Sequence, residues 1–141
     1  MTARKQGYKA GSTLVMAMIH EGALTVGHIG DSVALLLKQN SKVTRLTEAQ
    51  VPSRTDEYNR IVQSNGLITM KDGVARVDGS LAVSRAIGDA KYKEFLISEP
   101  EVVTTQLQPT DDILILSSDG LFMVYSEDQV CQMIAELRAQ G

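Results

Sequence analysis

The stretch STLVMAMIHEGALTVGHIGDSVALLLKQNSKVTRL, residues 12–46, decides the fold class. It reads as a β-meander. Ser12–Ile19, Ala23–Ile29, Val33–Lys38 and Val43–Leu46 are short apolar or alternating runs, as expected of half-buried or buried strands. Between them stand Glu21-Gly22, Gly30-Asp31 and Asn40-Ser41, pairs that tolerate the positive φ of tight hairpin turns.

Outward from the meander, Ser53 after Pro52 is placed to cap a helix. Asp56 lies three residues on, Tyr58, Ile61 and Val62 follow at helical spacing, and Asn65-Gly66 stops the run. Leu67–Met70 and Val74–Val77 flank the turn Lys71-Asp72-Gly73, and residues 78–100 form an irregular stretch long enough to mark a functional loop. Val102–Leu107 and Ile113–Ser117 read as strands, the second a continuous apolar run suited to burial on both faces. Ser126 and Gln129 form a capping-box pattern, with Val130, Met133, Ile134 and Leu137 on one face of a closing helix. Many antiparallel strands with separate helices indicate α+β.

The 141 residues, 43% hydrophobic and 22% charged, suit one soluble domain spanning residues 1–141. A net charge of -3 gives no basic footprint for nucleic acid or an anionic membrane. No apolar run approaches the ~18 residues of a membrane helix, and Met1–Lys5 has no apolar segment behind it to make a secretory signal. The single cysteine, Cys131, fits a reducing compartment and reads as an inert core thiol. The expected location is intracellular, cytoplasmic or nuclear.

Three segments carry candidate chemistry. Asp119-Gly120 ends a buried strand, which would hold a carboxylate rigidly enough for Mg²⁺ or Mn²⁺; the alternative is that Asp119 caps a short helix beginning near Leu121. Gly30-Asp31-Ser32 serves either as a hairpin turn or, if other carboxylates converge, as a second metal contact. Ser84-Arg85-Ala86-Ile87-Gly88-Asp89 gathers a hydroxyl, a guanidinium and a carboxylate, or is a capped helical turn with a surface ion pair. His20 and His28 lack the Cys/His neighbours of a zinc site.

Together with Gly11-Ser12-Thr13, Pro52-Ser53-Arg54, Arg60-Ile61, Asn65-Gly66, the run from Arg76 to Asp89 and Pro100-Glu101-Val102, these segments resemble the metal-dependent serine/threonine protein phosphatases of type 2C. The resemblance implies an antiparallel β-sandwich with flanking helices and a two-metal site of Mn²⁺ or Mg²⁺ that activates water toward phosphoserine or phosphothreonine. It assigns Asp119 to a metal ligand, Asp31 to an accessory metal position, and Asp78, Gly79, Ser84, Arg85 and Asp89 to the flap and its support beside the substrate.

The departures are as informative. Phe122-Met123 stands where the family has a Trp-Asp pair, replacing a hard carboxylate ligand with a thioether. Ala49-Gln50 stands where the family has Asp-His, which reads as a loss of charge and hydrogen-bonding capacity, and the family's early and late ligand segments have no counterpart. The expectation is therefore an incomplete type 2C domain with no assigned catalytic residue, weak or absent metal binding, and little or no hydrolysis on its own. The alternative is a pseudophosphatase that binds a phosphoprotein or another protein. Open strand edges further predict a homodimer or other edge-strand association.

Overall fold

The computed structural model describes residues 10–40 and 42–140. The Met1–Lys5 segment and Ser41 of the expected turn lie outside these. In chain order the elements are β1 (Gly11–Ser12), β2 (Leu14–His20), β3 (Ala23–Ile29), β4 (Val33–Lys38), β5 (Val43–Arg45), α1 (Thr55–Gln63), β6 (Ile68–Lys71), β7 (Val74–Val77), β8 (Ile87–Gly88), a 3-10 turn (Ala90–Tyr92), β9 (Glu101–Gln106), β10 (Asp111–Ser117), α2 (Asp119–Phe122) and α3 (Glu127–Gln140). They divide into two compact units. The first contains residues through Leu14, His28–Asp31 and Ala49–Glu101, and the second Val15–Gly27, Ser32–Glu48 and the chain from Val102.

The second unit is a β-sandwich. One sheet has the order β2-β3-β9, and the other β10-β4-β5 with antiparallel pairing throughout. Because side chains alternate along a strand, Val15 and Ala17 of β2 and Leu24 and Val26 of β3 turn to one face. There they pack with Ala34 and Leu36 of β4 and with Leu46, Leu107 and Leu114. The β2–β3 connection is a two-residue turn with positive φ at both Glu21 (48°) and Gly22 (77°), the backbone twist that antiparallel strands require.

Two expectations about this unit are corrected. Gly30-Asp31-Ser32 does not close a hairpin, since β3 and β4 belong to different sheets and the chain crosses between them there. The strand whose residues are buried throughout is β4, Val33–Leu37, which pairs with β10 on one side and β5 on the other and turns Ala34 and Leu36 into the sandwich core; β10 pairs only with β4 among the described residues and leaves Leu116 exposed. The closing helix starts as expected, through a reciprocal capping box. The Ser126 N–H donates to Gln129 Oε1 (2.8 Å) and the Gln129 N–H donates to Ser126 Oγ (3.2 Å). Val130 and Cys131 of α3 are buried, and Arg45 pairs with Glu127 in its first turn.

The first unit has less sheet. The antiparallel pair β6–β7 turns through Asp72-Gly73, both with positive φ, and the short pair β1–β8 sets Gly11 opposite Gly88. Its core is Ile61, Val77, Ala86 and Leu96, packed by Ile68, Leu81, Val83, Tyr92 and Phe95. The N-cap of α1 is Arg54 rather than Ser53, and no side chain caps it. Its C-terminus follows the sequence expectation. Asn65 takes the left-handed conformation (φ 60°), its N–H donates to the Val62 carbonyl (3.0 Å), and the Gly66 N–H reaches the Ile61 carbonyl (2.9 Å), a Schellman motif. No helix among the described residues is long and apolar enough to cross a membrane.

Candidate functional site

Asp119 stands where β10 gives way to α2. Ser118, in extended conformation, is the N-cap, so Asp119 is the first helical residue and does not cap a helix from Leu121. The Asp119 side chain is exposed. One turn later the Met123 N–H donates to the Asp119 carbonyl (3.0 Å), which sets Met123, 80% exposed, on the same side of the turn.

Asp31 is half-buried in the other unit, directly after Gly30. Gly30 has φ 93°, and a Cβ there would lie 2.4 Å from Thr13 Cγ2 and 3.3 Å from the Arg85 carbonyl, so the position accepts only glycine. Gln50 is fully buried and holds this crossing. Its Oε1 accepts from the Gly30 N–H (2.7 Å), its own N–H donates to the Gly30 carbonyl (3.0 Å), and its carbonyl accepts from the Ser84 N–H (2.9 Å). The glutamine that reads in sequence as a loss of hydrogen-bonding capacity thus ties Gly30 to Ser84.

The residues that the resemblance assigns to the flap and its support all belong to the first unit. Asp78 (φ 50°) and Gly79 (φ 68°) form a tight turn in which the Ser80 N–H donates to the Val77 carbonyl (3.0 Å), and Arg76 Nη1 donates to the Ser80 carbonyl (2.9 Å). Ser84 is buried. Asp89 is left-handed, and its carboxylate occupies the space a side chain on Gly11 would need, which explains the glycine. Arg85 is neither in a helical turn nor in a surface pair. Only 12% of its side chain is exposed, and it donates to Glu57 Oε1 through Nε (2.8 Å) and Nη2 (2.5 Å), to Glu101 Oε1 (3.0 Å) and to the Glu99 carbonyl (3.0 Å).

Arg85 belongs to a larger network not legible in the sequence. Glu57, 1% exposed on α1, also accepts from Arg60 Nη2 (2.6 Å) and Arg54 Nη2 (3.4 Å). Arg54 forks onto both oxygens of Asp56 (2.7 Å each) and also donates to Glu101, whose Oε2 lies 3.6 Å from Nε2 of the buried His28. Arg60 extends the network by donating to the carbonyls of Phe95 (2.6 Å) and Ser84 (2.9 Å).

The network shifts its carboxyls in one direction. Burial acts most strongly on Glu57 and pushes its carboxyl up, but hydrogen bonds from Arg85 and Arg60 hold the group below the usual range. The Arg54 fork brings Asp56 down to about 2 and holds Glu101 low against its own desolvation. In return the Glu101 and Asp56 carboxylates keep Arg54 even more firmly protonated.

Asp56, Glu57 and Glu101 offer ligand atoms within 4.8 Å of one another, the spacing of a metal site. Three guanidinium groups already neutralise these three carboxylates, so the cluster is an internal ion-pair network. A hard divalent ion would have to displace bidentate arginines from partly buried sites. Among the described residues, neither Asp119 in its unit nor Asp31 in its unit has two further His, Cys, Asp or Glu side chains gathered around it. Within each unit the described residues gather no set of carboxylates around Asp119 or Asp31 of the kind a hard divalent ion takes.

Comparison with known proteins agrees with the motifs. The family Protein phosphatase 2C matches residues 2–141. Probable protein phosphatase 2C 2 of Arabidopsis thaliana is 44% identical over 119 residues, 84% of this chain and 31% of that protein. The crystal structure of serine-threonine phosphatase 2C from Toxoplasma gondii superposes with a TM-score of 0.87 at 27% identity, covering 98% of this chain and 50% of that one. A C. elegans sex determining protein gives a TM-score of 0.88 at 28% identity, covering 92% of this chain and 32% of that one. The chain spans about a third of the length of the curated relatives it matches, between 28% and 39%. With motifs in the family's order and the sandwich in place, the chain belongs to the protein phosphatase 2C family.

Proposed function

We propose that this chain carries the scaffold of a metal-dependent serine/threonine phosphatase but does not hydrolyse phosphoesters by itself. The observation that supports this most directly is the pair Asp119 and Met123. The strand end delivers one carboxylate, and one turn on, where a second hard ligand would serve a divalent cation, an exposed thioether stands instead. Mn²⁺ or Mg²⁺, when bound in a complete site of this kind, supplies an activated water and stabilises the leaving oxygen. Asp119 is the residue at this strand end that would contribute to it, and one aspartate does not offset the charge of two divalent ions.

The test is hydrolysis of a phosphoserine or phosphothreonine peptide over a wide range of Mn²⁺ and Mg²⁺, with calorimetry of metal binding, for the chain and for Met123→Asp. The expected result is no turnover by the unmodified chain, and metal affinity gained on Met123→Asp and lost again when Asp119→Ala is added. Robust metal-dependent turnover by the unmodified chain overturns the reading.

A second reading, a protein-binding module, is favoured by strand β2. Among the described residues it is an edge of its sheet, carries no charged side chain or proline from Leu14 to Ile19, and exposes Met16 and Met18 on one face with Ile19 beside them. Natural edges of this kind are normally blunted by charge. The partner is a phosphoprotein, another protein offering a strand, or a second copy of the chain. Sedimentation across a concentration series separates these cases. Self-association weakened by Met16→Lys supports the copy, and a strict monomer rules it out.

A further inference from the structure

We propose that Ser98 is a phosphorylation site for an acid-directed serine kinase, with Lys93 as the counter-charge already in place. This is independent of whether the chain turns over phosphate. Ser98, Glu99 and Pro100 are three consecutive exposed residues outside any regular element, so Ser98 lies on accessible chain, with its hydroxyl turned toward Lys93 and the Ala86 carbonyl. The residues one and three positions after it are Glu99 and Glu101; Glu101 is already paired with Arg54 and Arg85, so the exposed Glu99 is the acidic side chain that such a kinase would read with a basic one.

What separates Ser98 from other exposed hydroxyls is the ammonium beside it. Lys93 Nζ donates to Ser98 Oγ (2.6 Å) and to the Ala86 carbonyl (2.6 Å), and Ser98 Oγ donates to that same carbonyl (2.9 Å). Ser126 also has acidic residues after it, but its hydroxyl caps α3.

The step balances with a nucleoside triphosphate as donor. Ser98 Oγ attacks the γ-phosphorus, the new O–P bond forms as the bond to the diphosphate breaks, the diphosphate leaves, and the hydroxyl proton passes to the kinase base. The Ala86 carbonyl loses its Ser98 donor but keeps Lys93, so no buried acceptor is orphaned. Lys93 is half-buried, and burial pushes its ammonium below the usual range, opposed only by the Asp89 carboxylate. A phosphate of about -1.5 to -2 charge within reach of this ammonium gains a charge-assisted hydrogen bond. Arg85, which already donates to the Glu99 carbonyl (3.0 Å), adds positive charge nearby, against Glu99, Glu101 and Asp89. Phosphorylation is therefore expected to tighten the loop from Ala86 to Glu99.

The experiment uses the full folded chain, ATP and an acid-directed serine kinase, read by tandem mass spectrometry and thermal unfolding. One phosphate is expected on Ser98, lost in Ser98→Ala and retained at the same position in Ser98→Thr. The phosphorylated chain is expected to melt on the order of 4 °C higher than the unmodified one. In Lys93→Met the site is still labelled but the rise disappears. The proposal is overturned if the folded chain takes no phosphate at residue 98, if Ser98 is labelled only after heat unfolding, or if the rise in melting temperature is unchanged in Lys93→Met.

Discussion

The two units are held together by different physics. The second is a sandwich whose inner faces are aliphatic, with Leu24, Val26, Ala34 and Leu36 at its centre, and its ion pairs, such as Arg138 with Asp112, sit outside the core. The first has a small apolar cluster around Ile61, Val77, Ala86 and Leu96, with three arginines and three carboxylates knitting α1, the segment at Ser84-Arg85 and Glu101 together. Apolar burial is non-directional and tolerates substitution that preserves volume. A desolvated ion-pair network is geometrically specific and fails when one member is removed. The segment with the most family-specific sequence, Leu81–Asp89, therefore depends on charges contributed from far along the chain.

The largest effect expected from breaking this contrast is at Glu57. Glu57→Ala leaves Arg54, Arg60 and Arg85 without their shared buried carboxylate and is expected to cost about 4 kcal/mol, the scale for breaking a buried pair by removing one partner. Denaturant unfolding checks it. A loss under about 1 kcal/mol would mean the network behaves as a solvated surface cluster.

In the sandwich the corresponding substitution is Leu24→Ala. It removes a side chain that is 1% exposed and is expected to cost about 3 kcal/mol through lost burial and the cavity left behind. Both losses are expected to persist when salt is raised from low concentration to about 1 M, because the Glu57 carboxylate is as desolvated as the Leu24 side chain and buried pairs are little screened.

Acid sharpens the comparison without mutation. Asp56, Glu57 and Glu101 all have folded pKa values below their ordinary ones, and Asp56 is held at about 2. A depressed carboxyl stabilises the fold fully above its unfolded value, near ~4, and loses that contribution as pH falls through the depressed one. Between about pH 4.5 and 2, amides of the first unit such as Ser84 and Ala86 are expected to lose exchange protection before those of β4. Simultaneous loss in both units would show that the network does not set local stability.

The smallest effect is at the capping box. Ser126→Ala is expected to cost about 1 kcal/mol and to fray α3 at its start, read as reduced protection of the Gln129 amide, while α1, which has no side-chain cap, is unaffected.

The pattern of elements was legible where the signal is local. The β2–β3 turn at Glu21-Gly22, the stop of α1 at Asn65-Gly66 and the Ser126–Gln129 box each follow from residues within six positions of one another, whose backbone preferences suffice. The identity of the strand buried throughout was not legible. Both Val33–Leu37 and Ile113–Ser117 are continuous apolar runs, and only the strand order shows that β4 lies between two neighbours while β10 pairs with one among the described residues. Asp119 and Asp31 were identified as carboxylates of interest, but no periodicity reveals which other carboxylates gather around them. Nor could spacing show that Glu57 and Glu101 converge on Arg85 across 28 and 16 residues.

By itself, then, the sequence determined the fold class and the family, because local patterning and the order of motifs suffice for both. Tertiary structure decided which charges meet. The triple of acids at Asp56, Glu57 and Glu101 has the spacing of a metal site and is instead filled by arginines, and Gln50, which reads in sequence as a loss of hydrogen-bonding capacity, is a buried connector between Gly30 and Ser84. Both outcomes depend on distances between segments far apart in the chain, which chain closure and packing set and no local pattern encodes.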